Sequence, residues 1–410
     1  MPHATVRPRR VFVVSVSHIP KDGRVLRQIR CLKDGGWIVT AIGLNPSTGT
    51  AIDRIEIDGV RHVMVAPQSW TRRTRLLAGV DLLTGRAVPG ASAALARARR
   101  LPSVQAIVTE LLAEIQQSDA DGSALVVAND WMALPAALEA HRRHGIPFHY
   151  DTHEFAIAEH QPNPLWQLTF SPMIARIERA AISKSRSTST VSQGIASSLR
   201  DSYGMSRMPT VIRNVPDREP LPPRPVSTPS QVLYHGLFKP DRGLLELIQS
   251  VPMWPERYRL TLRGWSPNTS FDRELRQACV ASSAAACIKI SPAVDLESVV
   301  TAAHAADIGV FLPSLSSPQN RFAMPNKLFE YLHAGLMVIV PAGTDMGDLV
   351  QQTGTGLALD DPSPHGLAKA LTSLTPGQIT NFKSAAHNAA KVLTWDHESL
   401  RLRAALGAAE

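Results

Sequence analysis

His153-Glu154 and Glu159-His160 each set an imidazole beside a carboxylate, the side-chain types of zinc hydrolases. A helix-borne zinc site needs H-E-x-x-H or H-x-x-E-H, and neither spacing occurs, so no metal site is expected. Ser192-Gln-Gly194 has no glycine two residues ahead of the serine, which removes the nucleophile elbow of an esterase. No Gly-Lys dipeptide occurs, which removes a phosphate-binding P-loop. Gly354-Thr-Gly356 lacks the third glycine of a dinucleotide fingerprint, so hydride transfer has little support. The cysteines Cys31, Cys279 and Cys287 are odd in number and form no C-x-x-C, which argues against a disulfide framework and for a reducing compartment.

The chain that positions these groups has 410 residues, 44% of them hydrophobic and 19% charged, which excludes a mainly disordered protein. Its net charge of +8 suits an anionic ligand, nucleic acid or an anionic membrane without choosing among them. Val11 to Val16 reads as a buried strand, Arg24 to Leu32 as an amphipathic helix ending at Gly35-Gly36, and Trp37 to Ile42 as a second strand. Strand, helix and strand make a βαβ unit and hence a parallel sheet. The alternation continues through strands at Ala124 to Ala128, Phe148 to Tyr150 and Ser187 to Val191, with Asp130 placed as a helix cap. Six prolines between Asn214 and Ser230 exclude a helix or central strand and read as a linker. A second alternating series follows, with candidate strands at Gln231 to Tyr234, Tyr258 to Leu262, Ile288 to Ile290, Ile308 to Leu312 and Val338 to Pro341. The expected organisation is two α/β doubly wound domains, 1–214 and 231–394, joined by the linker 215–230, with 395–410 as a helix crossing back.

Ligands of such folds bind at the carboxyl ends of strands. The clusters at those ends resemble, in order and spacing, the GT-B glycosyltransferases of family 4 type. In the first half these are Asp22-Gly-Arg24-Val-Leu-Arg27, Asn129-Asp130-Trp131, Tyr150-Asp151-Thr-His153-Glu154, Glu178-Arg179, Thr190-Val-Ser192 and Val211-Ile-Arg-Asn214. In the second they are Leu233-Tyr-His-Gly236, Arg242-Gly243-Leu244, Pro325-Asn326-Lys327-Leu328-Phe329-Glu330-Tyr331 and Trp395-Asp-His-Glu398. The resemblance runs through nearly the whole chain. It departs where many members carry Gly-Arg at the phosphate loop, since Leu237 follows Gly236 here and Arg242 stands where they have lysine. Of two family glutamates only Glu330 is present, and Phe322 occupies the position of the first, which commonly meets the donor sugar.

The resemblance implies two Rossmann-like domains facing across a cleft and transfer of a sugar from a nucleotide-diphosphate donor, UDP by default, to a hydroxyl acceptor. Transfer is expected to retain anomeric configuration without a metal or further cofactor. Gly236, Arg242, Asn326, Lys327 and Glu330 would bind the donor, with Arg242 and Lys239 stabilising the leaving diphosphate and His153 acting near the sugar. Asp22, Arg24, Asp130, Asp151, Glu154 and Ser192 form the expected acceptor side. Simpler roles stand beside these: Asp22 pairing with Arg24, Asp130 and Ser192 as caps, His153 packed on Asp151, and Glu330 paired with a neighbouring cation.

A nucleotide-sugar epimerase, a sugar phosphorylase and a non-catalytic anion- or membrane-binding scaffold are the alternatives. Nucleic-acid binding is not expected, because aromatic residues are only 5% and basic stretches lack interleaved rings for stacking. The acceptor could be a saccharide, a lipid-linked saccharide or a small natural product. The six-residue apolar run Val11 to Val16 is too short for a signal peptide, and a cytoplasmic location is expected. The Arg-rich segment Thr71 to Arg100 reads either as a solvated helical excursion or as a contact to the inner face of an anionic membrane.

Overall fold

A computed structural model describes residues 9–45, 52–66, 90–118, 120, 122–159 and 163–407. The chain divides into two compact units, one of Met1–Ile212 with Ser399–Glu410 and one of Arg213–Glu398. Each is built on one sheet.

In the first unit the strands are β1 (Arg10–Ser15), β2 (Ile38–Leu44), β3 (Ile52–Ile57), β4 (Val60–Val65), β5 (Leu125–Asn129), β6 (Phe148–Thr152), β7 (Ser187–Thr190) and β8 (Thr210–Val211). Their order is β3-β4-β2-β1-β5-β6-β7-β8, parallel throughout except for the antiparallel β3–β4 hairpin. That hairpin turns at Asp58-Gly59, both with positive φ (51° and 70°), the conformation that an Asp-Gly pair supplies in a tight hairpin. The central strands β1, β5 and β6 are buried on both faces, as a parallel sheet covered by helices requires. Beneath them Glu178 is fully buried and accepts from Tyr150 Oη (2.6 Å) and Tyr203 Oη (2.5 Å). Burial nevertheless lifts its carboxyl to about 7.

The second unit carries β9 (Ser230–Leu237), β10 (Tyr258–Trp265), β11 (Ile288–Ser291), β12 (Ile308–Val310), β13 (Met337–Pro341) and β14 (Gly356–Leu359). All are parallel, in the order β11-β10-β9-β12-β13-β14. The edge strand β14 is additional to those read from the sequence. The proline-rich stretch packs on this unit: Leu221 N–H donates to His333 O (2.7 Å), and Ser227 N–H reaches the Asp307 carboxylate. The helix Trp395–Leu406 begins in the second unit and ends in the first.

Arg72, Arg73, Arg75 and Arg86 lie outside the described residues. Arg97, Arg99 and Arg100 are described at and after the helix Ala91–Ala98, where Arg99 pairs with Glu139 at 3.7 Å. Among the described residues no helix is long and apolar enough to cross a membrane.

The second unit buries one ion pair completely. Lys383 Nζ lies 2.7 Å from Asp307 Oδ1, both 1% exposed, and Asp307 also accepts from Gln231 N–H (2.9 Å) at the start of β9. Removing one partner strands the other charge in the interior. Lys383→Ala is therefore expected to lower the stability of this unit by about 3–5 kcal/mol. Urea denaturation checks it; a loss below about 1 kcal/mol would mean that Asp307 is satisfied by backbone donors alone.

Candidate functional site

The first unit gathers charge where β5 and β6 end. Asp151, near the end of β6, is fully buried and accepts a bidentate bond from Arg24, Nε to Oδ2 at 2.8 Å and Nη2 to Oδ1 at 2.7 Å. Arg24 comes from the helix Gly23–Asp34, and its Nη1 donates to Ile212 O (2.8 Å). Gln28, one turn along the same helix face, donates to Asp151 Oδ2, and Ser189 Oγ donates to Oδ1 at 2.6 Å. Burial works against the charge on Asp151, yet Arg24 and His153 hold its carboxyl well below the usual range.

His153 stands between two carboxylates, Nε2 3.3 Å from Asp151 Oδ2 and Nδ1 3.3 Å from Asp130 Oδ2. Burial opposes its protonation, but Asp130 and Asp151 outweigh it and raise the imidazole to about 10. The two carboxylates thus favour the charged, donating form of His153. Asp130 has φ 62° and ψ 162°, a backbone region that costs a non-glycine residue about 1–3 kcal/mol. Its N–H donates to Asp151 O (3.0 Å), so the turn is pinned to the strand beside it.

Two expectations are corrected here. Asp22 does not pair with Arg24; it caps the helix Gly23–Asp34 through Val25 N–H (3.3 Å) and accepts from Ser17 Oγ (2.9 Å). Asp130 makes no side-chain cap; a short 3-10 turn (Trp131–Ala133) separates it from the helix Leu134–His144, and its carboxylate goes to His153. His153 is bonded to Asp151 as the simpler reading had it, but to Asp130 as well. Ser192 caps the helix Gln193–Tyr203 through Ile195 N–H (3.2 Å) and is buried. Glu154 is exposed on the bend after β6.

The second unit gathers positive charge where β9 ends. Gly236 has φ 118°, and a Cβ there would sit 3.5 Å from Lys327 Nζ. Lys327 lies in the first turn of the helix Asn326–His333, which has no side-chain cap. Its Nζ stands over the rings of Phe311 (4.1 Å) and Tyr234 (4.7 Å) and 3.4 Å from Tyr234 Oη. Arg242 lies over the same Phe311 ring at 5.7 Å, with Asp241 3.8 Å from its Nε. Gly243 must be glycine: its φ is 69°, and a Cβ would lie 2.0 Å from Leu312 O. The site thus places two basic side chains over one aromatic ring. Burial and then Arg242 push the Lys327 amine down to about 7 against the pull of Glu330 and Asp241.

Around this centre, Asn326 accepts from Asn214 Nδ2. Glu330 Oε2 lies 3.0 Å from His235 Nε2, whose ring stacks on Tyr331 (centroids 4.6 Å apart). Lys239 is exposed on the loop after β9. Leu237 is 40% exposed at the strand end, where it presents no charge. Phe322 closes the short helix Pro318–Phe322. Among the described residues no group of three or more His, Cys, Asp or Glu is placed to hold a metal ion.

Gln28, Ser189 and Phe311 are neighbours of these residues that the sequence reading did not single out, while Tyr234 and His235 lay within the Leu233–Gly236 cluster without an assigned role. Gln28 had a signal, since it follows Arg24 by four residues. Ser189 and Phe311 had none, because sheet order alone brings them to their partners.

Two family models match the chain: a glycosyl transferase 4-like domain over residues 23–215 and glycosyl transferases group 1 over residues 229–375. A comparison with curated proteins returned no match. Among solved structures, sucrose-phosphate synthase from Thermosynechococcus elongatus superposes with a TM-score of 0.72 at 17% identity, covering 96% of this chain and 97% of that one. HepE from Anabaena, in complex with UDP and glucose, gives 0.68 at 14% identity, covering 98% and 100%. The E. coli protein titled trehalose-6-phosphate, bound with UDP-2-fluoro glucose, gives 0.65 at 12% identity, covering 96% and 98%. With the two models together spanning most of the sequence and the fold shared along its length, the chain belongs to the group 1 glycosyltransferases of family 4 type, built from two Rossmann-like domains in the GT-B manner.

Proposed function

We propose that this glycosyltransferase moves a sugar from a UDP-sugar to a hydroxyl acceptor, with retention of configuration and without a metal. One observation carries the donor half: Lys327 and Arg242 both lie over the Phe311 ring, Lys327 beside Gly236 at the start of an uncapped helix. Such a cluster is completed by an anion of more than one charge. A nucleoside diphosphate fits it, and neighbours of the same fold include one titled as bound with UDP-2-fluoro glucose and one in complex with UDP and glucose.

As the glycosidic C1–O bond breaks, negative charge grows on the diphosphate oxygen. Arg242 offers a forked donor and Lys327 a near-buried one, both fixed before the reaction and aimed at that charge. Lys239 adds an exposed cation at the loop. Glu330, whose carboxylate lies 3.0 Å from His235 Nε2, would accept from ribose hydroxyls. In the other unit the His153 imidazolium donates to a hydroxyl of the sugar in flight, and Asp130 and Asp151 keep it charged and oriented. With His153 favoured in its donating form, the acceptor hydroxyl passes its proton to the departing phosphate oxygen on the same face, which gives retention. Arg24 and Asp22 act on this chemistry by holding Asp151 and the preceding loop. Glu154 and Ser192 belong to the acceptor side through their position after β6 and β7, with Ser192 acting through its cap. A hexose or N-acetylhexosamine fits such a donor, and a saccharide, a lipid-linked saccharide or a small molecule of cell-surface or natural-product biosynthesis fits the acceptor.

Calorimetry with UDP, GDP, ADP and dTDP tests the donor site. One diphosphate is expected to bind selectively, and Arg242→Ala to weaken it at least tenfold, about 1.4 kcal/mol. Equal binding by the variant would remove Arg242 from the diphosphate. NMR of the freshly formed glycoside should show the donor's anomeric configuration, and an inverted product would end the same-face mechanism. Donor interconversion without acceptor would move the assignment to an epimerase. Because His153 is held protonated to about 10, kcat should show no His153 limb between pH 6 and 9. The same pairing contributes stability that is full below pH 6.5 and fades as pH rises through about 10. The stability deficit of His153→Gln should shrink on that limb, and a deficit that grows with pH would contradict the imidazolium.

A further inference from the structure

Arg263 is the last side chain of β10 before Gly264, and it carries an unmet donor. Its Nη1 is buried and has no hydrogen-bond partner among the described residues. An N–H in that state bears the full cost of leaving water. The parallel register sets Arg263 opposite His235 of β9, so both side chains leave the sheet on the same face. His235 Nδ1 is likewise buried with no hydrogen-bond partner among the described residues, while its Nε2 lies 3.0 Å from Glu330 Oε2 and its ring stacks on Tyr331. Burial draws the Arg263 guanidinium below its ordinary value, and Tyr331 works against that shift. Arg263 therefore borders the same ring as His235.

The strand order decides what can reach this donor. β10, β9 and β12 lie side by side, about 4.8 Å apart. Phe311 follows β12 and has Lys327 and Arg242 over its ring. Glu330 meets His235 near the end of β9, and Arg263 stands one strand further out. A nucleoside diphosphate laid along these ends, with its phosphates at Phe311 and its ribose at Glu330, brings its base to Arg263. Trp265, two residues on, is 53% exposed and offers that base an aromatic surface.

We propose that Arg263 is a specificity-determining residue of the donor site: its guanidinium donates to a carbonyl oxygen of the nucleobase and selects uracil or guanine over adenine. The inference rests on the donor site proposed above and adds the group that reads the base. Guanine, and uracil like thymine, present a carbonyl acceptor at the ring edge where adenine presents an amino donor. A guanidinium has five donors and no acceptor, so an amino group facing it leaves both unmet.

Calorimetry on the full chain separates the base from the rest of the ligand. UDP, GDP, ADP and ribose 5-diphosphate, which has no base, are titrated into the native protein, Arg263→Lys and Arg263→Met. Arg263→Lys keeps the charge and loses the planar fork. The tighter of UDP and GDP should bind the native protein roughly tenfold or more better than ADP, and that preference should fall below about threefold in both variants. Ribose 5-diphosphate should bind all three proteins within about twofold, and Arg242→Ala should weaken it. Parallel losses for the nucleotide and for ribose 5-diphosphate would put Arg263 on the ribose, the phosphates or the fold, and overturn the proposal. A preference that survives both variants overturns it, as does a native chain that binds ADP as tightly as UDP and GDP. Failure of every diphosphate, ribose 5-diphosphate included, to bind the native chain is a separate result: it removes the donor reading itself.

Discussion

A parallel sheet buried on both faces can carry polar chemistry only where its strands end. β1 and β5 carry apolar side chains up to their last residues, Ser15 and Asn129, and β6 alternates Phe148 and Tyr150 with a buried His149 before it reaches Asp151. The same holds in the second unit, where the core residues Val232, Leu233 and Tyr234 give way to His235 and Gly236 at the end of β9. The backbone ladder fixes these ends to within one residue, because each strand is hydrogen-bonded to neighbours in register. Gly264 lies opposite Gly236 in that register, and a Cβ on Gly264 would stand 1.9 Å from Gly236 O. Position in such a site comes from the sheet, and the side chains supply only charge.

The two units use that placement in opposite ways. At the end of β6 positive and negative groups neutralise each other: Arg24 and His153 against Asp151 and Asp130. Such a cluster is rigid, and loss of any member leaves another buried charge unpaired. Its product is one oriented imidazolium. At the end of β9 basic side chains gather instead, with Lys327 and Arg242 over one ring, Asp241 3.8 Å from Arg242 and Glu330 3.0 Å from His235. Balanced charge orients a donor, whereas gathered basic side chains recruit an anion. The two requirements of transfer, holding a sugar hydroxyl and stabilising a leaving diphosphate, correspond to these two electrostatic states.

Much of this was legible in the sequence because strand-helix alternation and turn residues are local signals. The βαβ opening, the donor helix at Pro325-Asn326-Lys327 and the polar strand ends all lie within a few residues of their cause. The hairpin β3–β4 was equally local, with Asp58-Gly59 between apolar runs, and was not read. β14 was missed for a different reason: Gly356–Leu359 is four residues at a sheet edge, too short for a period to show. The pairing of Arg24 with Asp151 spans 127 residues, and nothing in either neighbourhood names the other. Asp130 looked like a helix cap because aspartate before a helix usually is one. Only the tertiary demand of His153 turns it to a strained backbone and away from the helix.

The departures from the family pattern bear on the same electrostatics. Members that this chain resembles carry an arginine after the phosphate-loop glycine and a first glutamate beyond it. Here Leu237 and Phe322 stand in those places, so one cation and one carboxylate are absent together. The weight at the strand end therefore falls on Arg242 at the loop and Lys327 at the helix, the two basic side chains that lie over Phe311.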